Sequence, residues 1–535
     1  SQEVHPGQLV SPLERLDTSL LSLPSYRSEV LVVGTGVAGM CAALSAAELG
    51  AKVIVLSKGG IDETNTRYAQ GGLAAAIGED DTIQAHAGDT LSVGCDLSEV
   101  SVVDAIIGGG PDAVAWLLKL GFAVDRDEHG KVSLRREGGH RIARILHSGG
   151  TATGRELQRA LGAQISNNPC IHVLEHTTAI DLLKNADGRV SGLVALMGEG
   201  RGAVPVKFEA GAVVLATGGG GQLFRETTNP ALATADGLAM ALRSGAQVQD
   251  LEFVQFHPTI LYLAGAARFL ISEVTRGAGA ILRNRHGVVF MGDVHADAEL
   301  APRDVVSREI FRQMLKTGDT HVYLDFSKMD NPTAKFPKLA QITKSFGIDL
   351  AREGVPVRPA VHYFIGGVAA TLEGRTSLPG LWATGECAST GFHGANRMGS
   401  NSLLEGVVHG RLVGADVARA SRGCDPRPLM PICGRYCQSE PVELNLTDLT
   451  YSLKSLLWRQ AGIERDASGL ADALMRIDQW EGYLERMAPF TRQGVEAVNM
   501  LQVSRALVLA AAFRRESRGA HFRADFPQRE SDWLC

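Results

Sequence analysis

Short aliphatic runs alternate along the chain with longer stretches rich in alanine and leucine. The clearest example lies between residues 29 and 58, where the runs Val30–Val33 and Val53–Leu56 flank the stretch Met40–Leu49. Aliphatic runs without polar alternation are typical of buried parallel strands, and alanine and leucine favour a helix. This segment therefore predicts a strand, a helix and a second strand.

Three glycines occupy the turn between the first strand and the helix. Gly34, Gly36 and Gly39 have the spacing of a dinucleotide-binding turn, in which they permit a tight turn, backbone approach to a pyrophosphate and close helix–strand packing. The alternative is an ordinary glycine-rich turn. NAD-binding domains carry an acidic residue at the end of the second strand, whereas this chain has Ser57 and Lys58 there. The pattern therefore predicts a dinucleotide site that disfavours NAD and leaves FAD open.

The remaining pattern divides the chain into several parts. Helices are predicted at 98–120 and 152–164, and strands at 171–174, 178–182, 190–196 and from 212 onwards. Residues 239–354 interrupt this architecture. Beyond three prolines at 426, 428 and 431, helical periodicity returns at 447–462, 467–487 and 491–513. These last segments predict a three-helix bundle, for which docking against the body of the protein is the simplest role.

Composition narrows the function classes. The chain has 535 residues, enough for two to four domains, with 45% hydrophobic and 21% charged residues and a formal net charge of −6. Without a basic block, nucleic-acid binding has little support. No stretch resembles a membrane span, and the first residues do not resemble a signal peptide. The eight cysteines form no C-x-x-C pair, which favours free thiols over a metal site and predicts a cytoplasmic protein.

Two charged segments are candidates for chemistry. Residues 135–144 carry five basic side chains around one carboxylate, Glu137, which suits an anionic ligand that also has a cationic group. The alternative is a solvated loop with charge pairs. Arg303 is predicted in the first turn of a helix, where the helix dipole disfavours a cation, so its position suggests a function. The alternative for Arg303 is a salt bridge to Asp304 or Glu299.

A pair of glycines after the second predicted strand is a candidate ligand-binding loop. Gly71 and Gly72 lie among small residues, which would allow backbone to approach a flat ligand closely. The alternative is a loop that only packs on the first helix.

These motifs resemble the flavoprotein superfamily of fumarate reductases, succinate dehydrogenases and L-aspartate oxidases. The resemblance runs from Gly34 to residues 516–521 and rests on the segments 68–72, 255–258, 301–304, 362–363, 385–386 and 393–397. It implies an α/β fold: a Rossmann-type FAD-binding domain, an inserted α+β capping domain and a C-terminal three-helix bundle. The implied boundaries are 1–238 and 355–422 for the FAD-binding domain, 239–354 for the capping domain and 423–535 for the helical domain.

Two residues distinguish branches of this superfamily. The dehydrogenases tether FAD through a histidine at the position of Asn65, so the resemblance implies non-covalent FAD here. The segment 136–139 resembles the L-aspartate oxidases, which have a glutamate where the dicarboxylate reductases have an apolar residue. Because aspartate has an ammonium group and fumarate has none, Glu137 would favour the amino acid.

The resemblance therefore implies oxidation of L-aspartate to iminoaspartate, with hydride transfer from the α-carbon to the flavin. Oxygen or fumarate would accept the electrons, and iminoaspartate would pass to quinolinate synthase at the start of NAD biosynthesis. The alternatives are a soluble fumarate reductase and a non-catalytic binding module that kept the fold.

The resemblance also implies roles for individual residues. Arg303 matches the proton donor or acceptor, and Glu137 would hold the amino group. The remaining substrate-binding residues would be Ser272, His257, His362, Arg397 and Ser400. The FAD-binding residues would be Gly34, Thr35, Gly36, Val37, Ala38, Gly39, Lys58, Asn65, Thr66, Arg67, Tyr68, Ala69, Gln70, Gly71, Gly72, Asp236, Glu386, Ser402 and Leu403.

Overall fold

A computed structural model describes residues 11–15, 22–264, 268–423, 443–484 and 491–534. The predicted proline-rich linker and the cysteines at 424, 433, 437 and 535 lie outside the described residues. The four described cysteines, at 41, 95, 170 and 387, are free thiols. No group of histidine, cysteine and acidic side chains within the described ranges could hold a metal ion.

The strands are numbered in chain order. They are β1 (Ser25–Val33), β2 (Val53–Leu56), β3 (Leu73–Ala74), β4 (Leu134–Arg135), β5 (Ile145–Leu146), β6 (Ile171–Leu174), β7 (Thr177–Lys184), β8 (Val190–Met197), β9 (Val204–Leu215), β10 (Val248–Gln249), β11 (Val254–Leu261), β12 (Ile281–Arg283), β13 (Val322–Asp325), β14 (Val355–Phe364), β15 (Gly367–Ala369), β16 (Leu381–Ala383) and β17 (Ala388–Ser389).

The α-helices follow the same order. They are α1 (Val37–Glu48), α2 (Asn65–Tyr68), α3 (Ile83–Val93), α4 (Val100–Gly108), α5 (Gly110–Lys119), α6 (Thr153–Ser166), α7 (Asp236–Arg243), α8 (Val274–Gly277), α9 (Arg303–Thr317), α10 (Pro332–Lys335), α11 (Pro337–Ser345), α12 (Asn401–Ser421), α13 (Leu446–Gln460), α14 (Ala467–Leu484) and α15 (Arg492–Phe513).

A seven-stranded sheet forms the body of the protein. Its order is β6-β2-β1-β9-β8-β7, and β16 also pairs with β9. Strands β6, β2, β1, β9 and β16 are parallel, whereas β7 and β8 add an antiparallel edge. Since β16 lies beyond the inserted segment in sequence, residues from both sides of the insertion complete one sheet.

The predicted strand–helix–strand unit is confirmed as β1, α1 and β2. Side chains alternate along β1, so its two faces enter different cores. Val30 and Val32 pack with α1 and α12, whereas Leu31 and Val33 pack with the antiparallel strands and the C-terminal helices. All four side chains are buried, as expected for a strand with both faces covered.

A separate four-stranded antiparallel sheet, in the order β11-β14-β13-β12, forms the inserted unit together with α9. The segment after residue 354 is therefore part of this sheet, because β14 pairs with both β11 and β13. The body and the inserted unit thus share the strand that carries residue 362.

The predicted C-terminal bundle is present as α13, α14 and α15. Its helices contact one another, and α15 also packs on α7 of the body. The bundle buries Leu456, Leu457 and Leu501 in the same core as the antiparallel edge of the large sheet. It therefore docks against the body, as the sequence predicted.

Two expectations need correction. The single helix predicted at 98–120 is two helices, because α4 ends at Gly108 and α5 begins at Gly110.

Contrary to the expectation from the sequence, two stretches are long and apolar enough to cross a membrane by length and composition alone. They are Val100–Lys119, which joins α4 and α5, and Arg492–Phe513. Of their apolar windows, 44% and 67% are buried inside the protein, as in core helices that share this composition.

Helix α1 and strand β1 approach so closely that Gly39 tolerates no side chain. A Cβ at Gly39 would clash with the carbonyl oxygen of Gly34 and lie 3.1 Å from the Cβ of Ala216. We expect Gly39→Ala to destabilise the protein by about 1–3 kcal/mol, because it overpacks this contact. The midpoint of urea unfolding should fall accordingly.

Gly162 provides the matched control for Gly39. It lies inside α6, where an added Cβ would meet nothing within 4 Å. Gly162→Ala should therefore be neutral or stabilise by roughly 0.5–1 kcal/mol, since alanine favours a helix. Equal destabilisation by the two substitutions would contradict the close-packing account.

Candidate active site

A cleft of about 500 Å³ opens at the carboxyl end of β1 and β2. The residues that line it come from the turn after β1, the 63–70 segment, the loop after β9, the start of α12 and the inserted unit. They include Gly34, Thr35, Gly36, Val37, Ala38, Ser57, Lys58, Asn65, Thr66, Tyr68, Ala69, Gln70, Thr217, Asp236, Leu270, His362, Glu386, Ser402 and Leu403. Ligands bind at this end of open α/β sheets.

Two helices present uncapped N-termini to this region. Helix α1 follows Gly36 and helix α12 follows Ser400; neither N-cap side chain bonds to the helix, and neither first turn holds an acidic residue. The first N–H of each helix is bonded, Val37 to the Thr66 hydroxyl and Asn401 to the Met398 carbonyl. The helix dipole still favours an anionic group at each end.

The cleft fits a dinucleotide such as FAD on several observations. A Cβ at Gly36 would meet only the Thr66 hydroxyl, at 3.4 Å, so the backbone there is open to a ligand. The Oδ1 atom of Asn65 and the hydroxyl of Thr217 are buried without a hydrogen-bond partner. Both residues line the cleft, where a polar cofactor would satisfy them.

Lys58 and Asp236 lie in the cleft wall but bind each other. The Lys58 ammonium is 2.7 Å from Asp236 and 2.7 Å from Glu496, which belongs to α15. Asp236 also accepts a hydrogen bond from Asn499, at 2.8 Å. The C-terminal helical domain thus binds two residues of the cleft wall, a contact that the sequence pattern did not reveal. Cofactor contacts by Lys58 and Asp236 stay predictions.

Glu386 follows β16 and lies partly exposed in the cleft wall. Its carboxylate accepts the Phe364 N–H at 3.0 Å and the Asn65 amide at 3.2 Å. Burial raises the pKa of Glu386 to about 7, because these two donors offset only part of the desolvation.

The glycine pair after α2 has two different explanations. A Cβ at Gly72 would clash with the Leu146 carbonyl oxygen, so Gly72 is required by strand packing and not by a ligand. A Cβ at Gly71 would lie 3.5 Å from the Ser400 hydroxyl and 4.0 Å from the Glu137 carboxylate. Only Gly71 therefore faces the candidate site.

A β-bulge brings two histidines together. In the β11–β14 pair, Gln255 lies opposite Tyr363 and Phe256 lies opposite Val361, so His362 is the extra residue. The bulge turns His362 toward His257 on the neighbouring strand, and their ring centroids are 5.4 Å apart.

Both histidines are held neutral. Burial lowers the pKa of His257 well below its usual value, and the charges of Arg303, Arg276 and Arg397 lower it further. Burial and the same positive surroundings, chiefly Arg397, have this effect on the pKa of His362. Nδ1 of His257 accepts the Thr259 N–H at 3.3 Å, which leaves Nε2 as the N–H donor.

Arg397 is buried without a carboxylate partner among the described residues. Its Nη1 donates to the Ser402 hydroxyl at 3.0 Å, and the guanidinium lies 4.6 Å above the ring of Tyr363. The Nε atom has no partner. Burial lowers the pKa of Arg397 to about 10, and the charge of Arg303 acts in the same direction. The group remains cationic at neutral pH and is available to an anion.

Arg303, in contrast, has a carboxylate partner. Its Nε lies 2.5 Å from Glu273, and its Nη1 donates to Gln255 at 3.1 Å. The sequence-based alternative of a salt bridge to Asp304 or Glu299 is wrong, because Glu273 takes this place from the preceding loop. Glu273 is also 3.6 Å from the buried Arg276. A chain of charged groups thus leads from Arg303 through Glu273 to Arg276.

Gln255 links the two arginine segments. While its Oε1 accepts from Arg303, its Nε2 donates to the Asn396 side chain at 2.9 Å and to the Arg397 carbonyl at 2.7 Å. The sequence carried a signal for this role, since Gln255 and His257 are two apart on a strand and share a face.

The predicted substrate-binding residue Ser272 adjoins Glu273. The Ser272 hydroxyl accepts the Val274 N–H at 3.4 Å.

Glu137 is buried beside this group. One carboxylate oxygen accepts the Ser400 hydroxyl at 2.7 Å, and the other lies 3.3 Å from Nε2 of His147. Burial alone would raise the pKa of Glu137, but the neighbouring His147 and the hydrogen bond from Ser400 outweigh it and leave this pKa below its usual value.

The expectation that the basic side chains of 135–144 surround Glu137 is wrong. Arg144 is fully buried and pairs with Asp81 and Asp89, each through contacts of 2.7–2.8 Å. Arg141 also binds Asp89. These carboxylates come from the loop before α3 and from α3 itself. Because they lie far from Arg141 and Arg144 in the sequence, the pairing could not be predicted.

Glu137 and Arg303 meet at Gly399. A Cβ at Gly399 would lie 3.4 Å from Glu137 Oε2 and 3.2 Å from Arg303 Nη2. The predicted residues Glu137, His257, Arg303, His362 and Arg397 therefore converge on one region next to the cleft.

Comparison with known proteins gives matches over nearly the whole chain. A family profile described as "FAD binding domain" matches residues 29–403, and one described as "Fumarate reductase flavoprotein C-term" matches residues 450–535. An L-aspartate oxidase of Streptomyces coelicolor is 43% identical over 94% of this chain and 89% of its own. One of Bacillus subtilis is 38% identical, with 95% and 93% covered.

Solved structures agree with these relatives. A variant of E. coli quinol fumarate reductase FrdA superposes with a TM-score of 0.86 at 30% identity, covering 95% of this chain and 93% of that one. A quinol-fumarate reductase structure with menaquinol molecules gives a TM-score of 0.87 at 30% identity, with 96% and 95% covered. The α/β fold with its C-terminal helical domain is thereby confirmed.

The raised pKa of Glu386 predicts a pH effect on the stability of the FAD-free protein. The folded protein binds this proton more tightly than the unfolded chain, whose carboxyl titrates near pH 4.5. The stabilisation is therefore complete below pH 4.5 and is lost progressively as the pH rises from 4.5 to about 7. Glu386→Gln should exceed wild type in unfolding free energy by up to about 3 kcal/mol at pH 8 and match it near pH 4.

Chemical denaturation of both proteins across this pH range checks the effect. The variant retains the acceptor for the Phe364 N–H, and the free Oδ1 of Asn65 can accept from the new amide. A stability difference that does not change with pH would contradict the titration of Glu386.

Proposed function

The chain belongs to the L-aspartate oxidase family of FAD-dependent flavoproteins, and on that premise we propose that it oxidises L-aspartate to iminoaspartate. The observation that carries this proposal is that one pocket holds both a cation and an anion that lack an oppositely charged protein partner. Arg397 is a buried cation without a carboxylate partner, and Glu137 is a buried anion without an arginine or lysine partner among the described residues. A ligand with both carboxylate and ammonium groups satisfies both.

Residues of this chain fit FAD without a covalent bond. Asn65 offers no nucleophilic side chain for a tether, and its free Oδ1 is a hydrogen-bond acceptor. The turn from Gly34 to Gly39 and the N-terminus of α12 would hold the anionic and polar parts of the cofactor. When bound, FAD supplies the two-electron acceptor chemistry.

The carboxylates of the substrate would be bound by one charged and two neutral donors. The Arg397 guanidinium offers a planar pair of N–H groups, which fixes the orientation of a carboxylate as well as its charge. The neutral His257 and His362 add N–H donors without further positive charge. Ser272 would complete this set from the neighbouring loop.

Arg303 would handle the proton at the reacting end. Arginine is a poor base in isolation, but here its Nε is bonded to Glu273, which also contacts Arg276. This chain of hydrogen-bonding groups would let a proton leave the pocket while Arg303 stays cationic.

Glu137 would distinguish aspartate from a plain dicarboxylate. Its carboxylate is desolvated, and a like charge placed beside it costs several kcal/mol, whereas an ammonium group is attracted. The pocket would therefore orient aspartate by its amino group and leave fumarate, which lacks one, without this contact.

Fumarate and oxygen are the proposed electron acceptors. The likeness to fumarate reductases supports fumarate as an acceptor, and oxygen is a second one. We also propose a cytoplasmic location and delivery of iminoaspartate to quinolinate synthase. A soluble fumarate reductase is the second candidate, favoured by the solved structures but opposed by the position of Glu137.

Flavin colour tests the proposed function. Anaerobic addition of L-aspartate to the yellow FAD-loaded protein should bleach its absorption near 450 nm, because substrate oxidation reduces the flavin. Added fumarate should restore the colour. Bleaching by succinate but not by L-aspartate would overturn the oxidase proposal in favour of a fumarate reductase.

Glu137→Gln tests the proposed recognition of the ammonium group. Loss of a hydrogen-bonded charge pair should cost about 2–3 kcal/mol and lower kcat/KM for L-aspartate roughly 30- to 100-fold. Fumarate reduction by the reduced enzyme should change little. Steady-state assays in both directions measure the two effects.

Glu128→Gln is the matched control for Glu137→Gln, since Glu128 is an exposed glutamate in the same segment. It should leave both reactions unchanged. Equal losses of L-aspartate oxidation and fumarate reduction in Glu137→Gln would remove the proposed role of Glu137.

A further inference from the structure

A small three-stranded sheet connects two segments. One is the 63–70 segment that lines the cleft, called the cleft loop below, and the other is the segment that carries Glu137. Its central strand is β5, which pairs with β3 on one side and β4 on the other. β3 begins directly after Gly72, and β4 ends two residues before Glu137. His147 directly follows β5, so the sheet holds it between the cleft loop and the Glu137 segment.

His147 is enclosed by these neighbours. Its side chain is 3% exposed, that of Glu137 is 5% exposed, and Nε2 lies 3.3 Å from Glu137 Oε1. A Cβ at Gly72 would come within 3.1 Å of the imidazole Cε1. The ring therefore packs closely against Gly72.

The two ring nitrogens of His147 have different surroundings. Nδ1 is buried and has no partner in the described part of the chain. Nε2 is the nitrogen that contacts Glu137, at 3.3 Å from Oε1.

The two oxygens of the Glu137 carboxylate have different neighbours. Ser400 donates a hydrogen bond to Oε2 at 2.7 Å, whereas Oε1 contacts His147 Nε2 at 3.3 Å and accepts no hydrogen bond from the described residues. Because no lysine or arginine of the described chain is bonded to this carboxylate, it remains available to a ligand cation.

We propose that His147 is a positioning residue that holds the Glu137 carboxylate toward the substrate ammonium group and thereby sets selectivity for an amino-dicarboxylate. This inference rests on the proposed function and extends it to a residue outside the substrate-binding set. His147 would affect binding of the amino group and not the redox step, because His147 itself need not contact the substrate.

Steady-state kinetics of the FAD-loaded enzyme test the proposal with two substitutions. His147→Leu removes the polar contact with Glu137 and should raise KM for L-aspartate about tenfold, with kcat within roughly threefold. KM for fumarate in the reverse assay should stay constant. His147→Gln, whose amide nitrogen reaches near the Nε2 position, should restore KM for L-aspartate.

A double-mutant cycle isolates the contact from general damage. In a Glu137→Gln background, His147→Leu should have no further effect on KM for L-aspartate, since the charge that it positions is absent. If His147→Leu fails to retain FAD, the shorter polar His147→Asn takes its place with the same expected rise in KM.

Three results would overturn the role of His147 while leaving L-aspartate oxidation intact. These are an unchanged KM for L-aspartate in both His147→Leu and His147→Asn, equal changes of KM for L-aspartate and fumarate, or additive effects in the cycle. Failure of the wild-type enzyme to oxidise L-aspartate would instead overturn the proposed function itself.

Discussion

A buried guanidinium without a carboxylate partner among the described residues is the constraint on which this site depends. Burial of an unpaired charge is costly, and Arg397 is held only by the Ser402 hydroxyl and the face of Tyr363. The neighbouring Arg303 has Glu273 as its partner. Arg397 therefore remains available to a ligand anion, and the neutral histidines beside it add N–H donors without adding charge.

The fold produces this arrangement by joining segments that are far apart in sequence. The β11–β14 pair holds the two histidines, and the bulge at His362 turns that side chain toward His257. Helix α12 and the residues before it hold Arg397 near Glu137, through Ser400 and Gly399. The body supplies the cleft and the inserted unit supplies part of the pocket, so substrate and cofactor can meet only where the two units join.

The sequence predicted the parts of this structure that depend on local pattern. The turn at Gly34–Gly39, the strand boundaries at Val53–Leu56 and the three C-terminal helices need only spacing and composition. Partners across the fold could not be predicted in this way. The Glu273 partner of Arg303, the Glu496 partner of Lys58 and the position of His147 follow from strand register and helix docking, which one sequence does not reveal.

The central claim is that one ligand satisfies both Arg397 and Glu137. A crystal structure of the FAD-loaded protein, reduced with dithionite and soaked anaerobically with L-aspartate, tests it directly because the reduced flavin cannot turn the substrate over. We expect a substrate carboxylate bonded to the Arg397 guanidinium and the ammonium group within about 3 Å of the Glu137 carboxylate. An ammonium group directed away from Glu137, or a protein carboxylate occupying Arg397, would contradict the account.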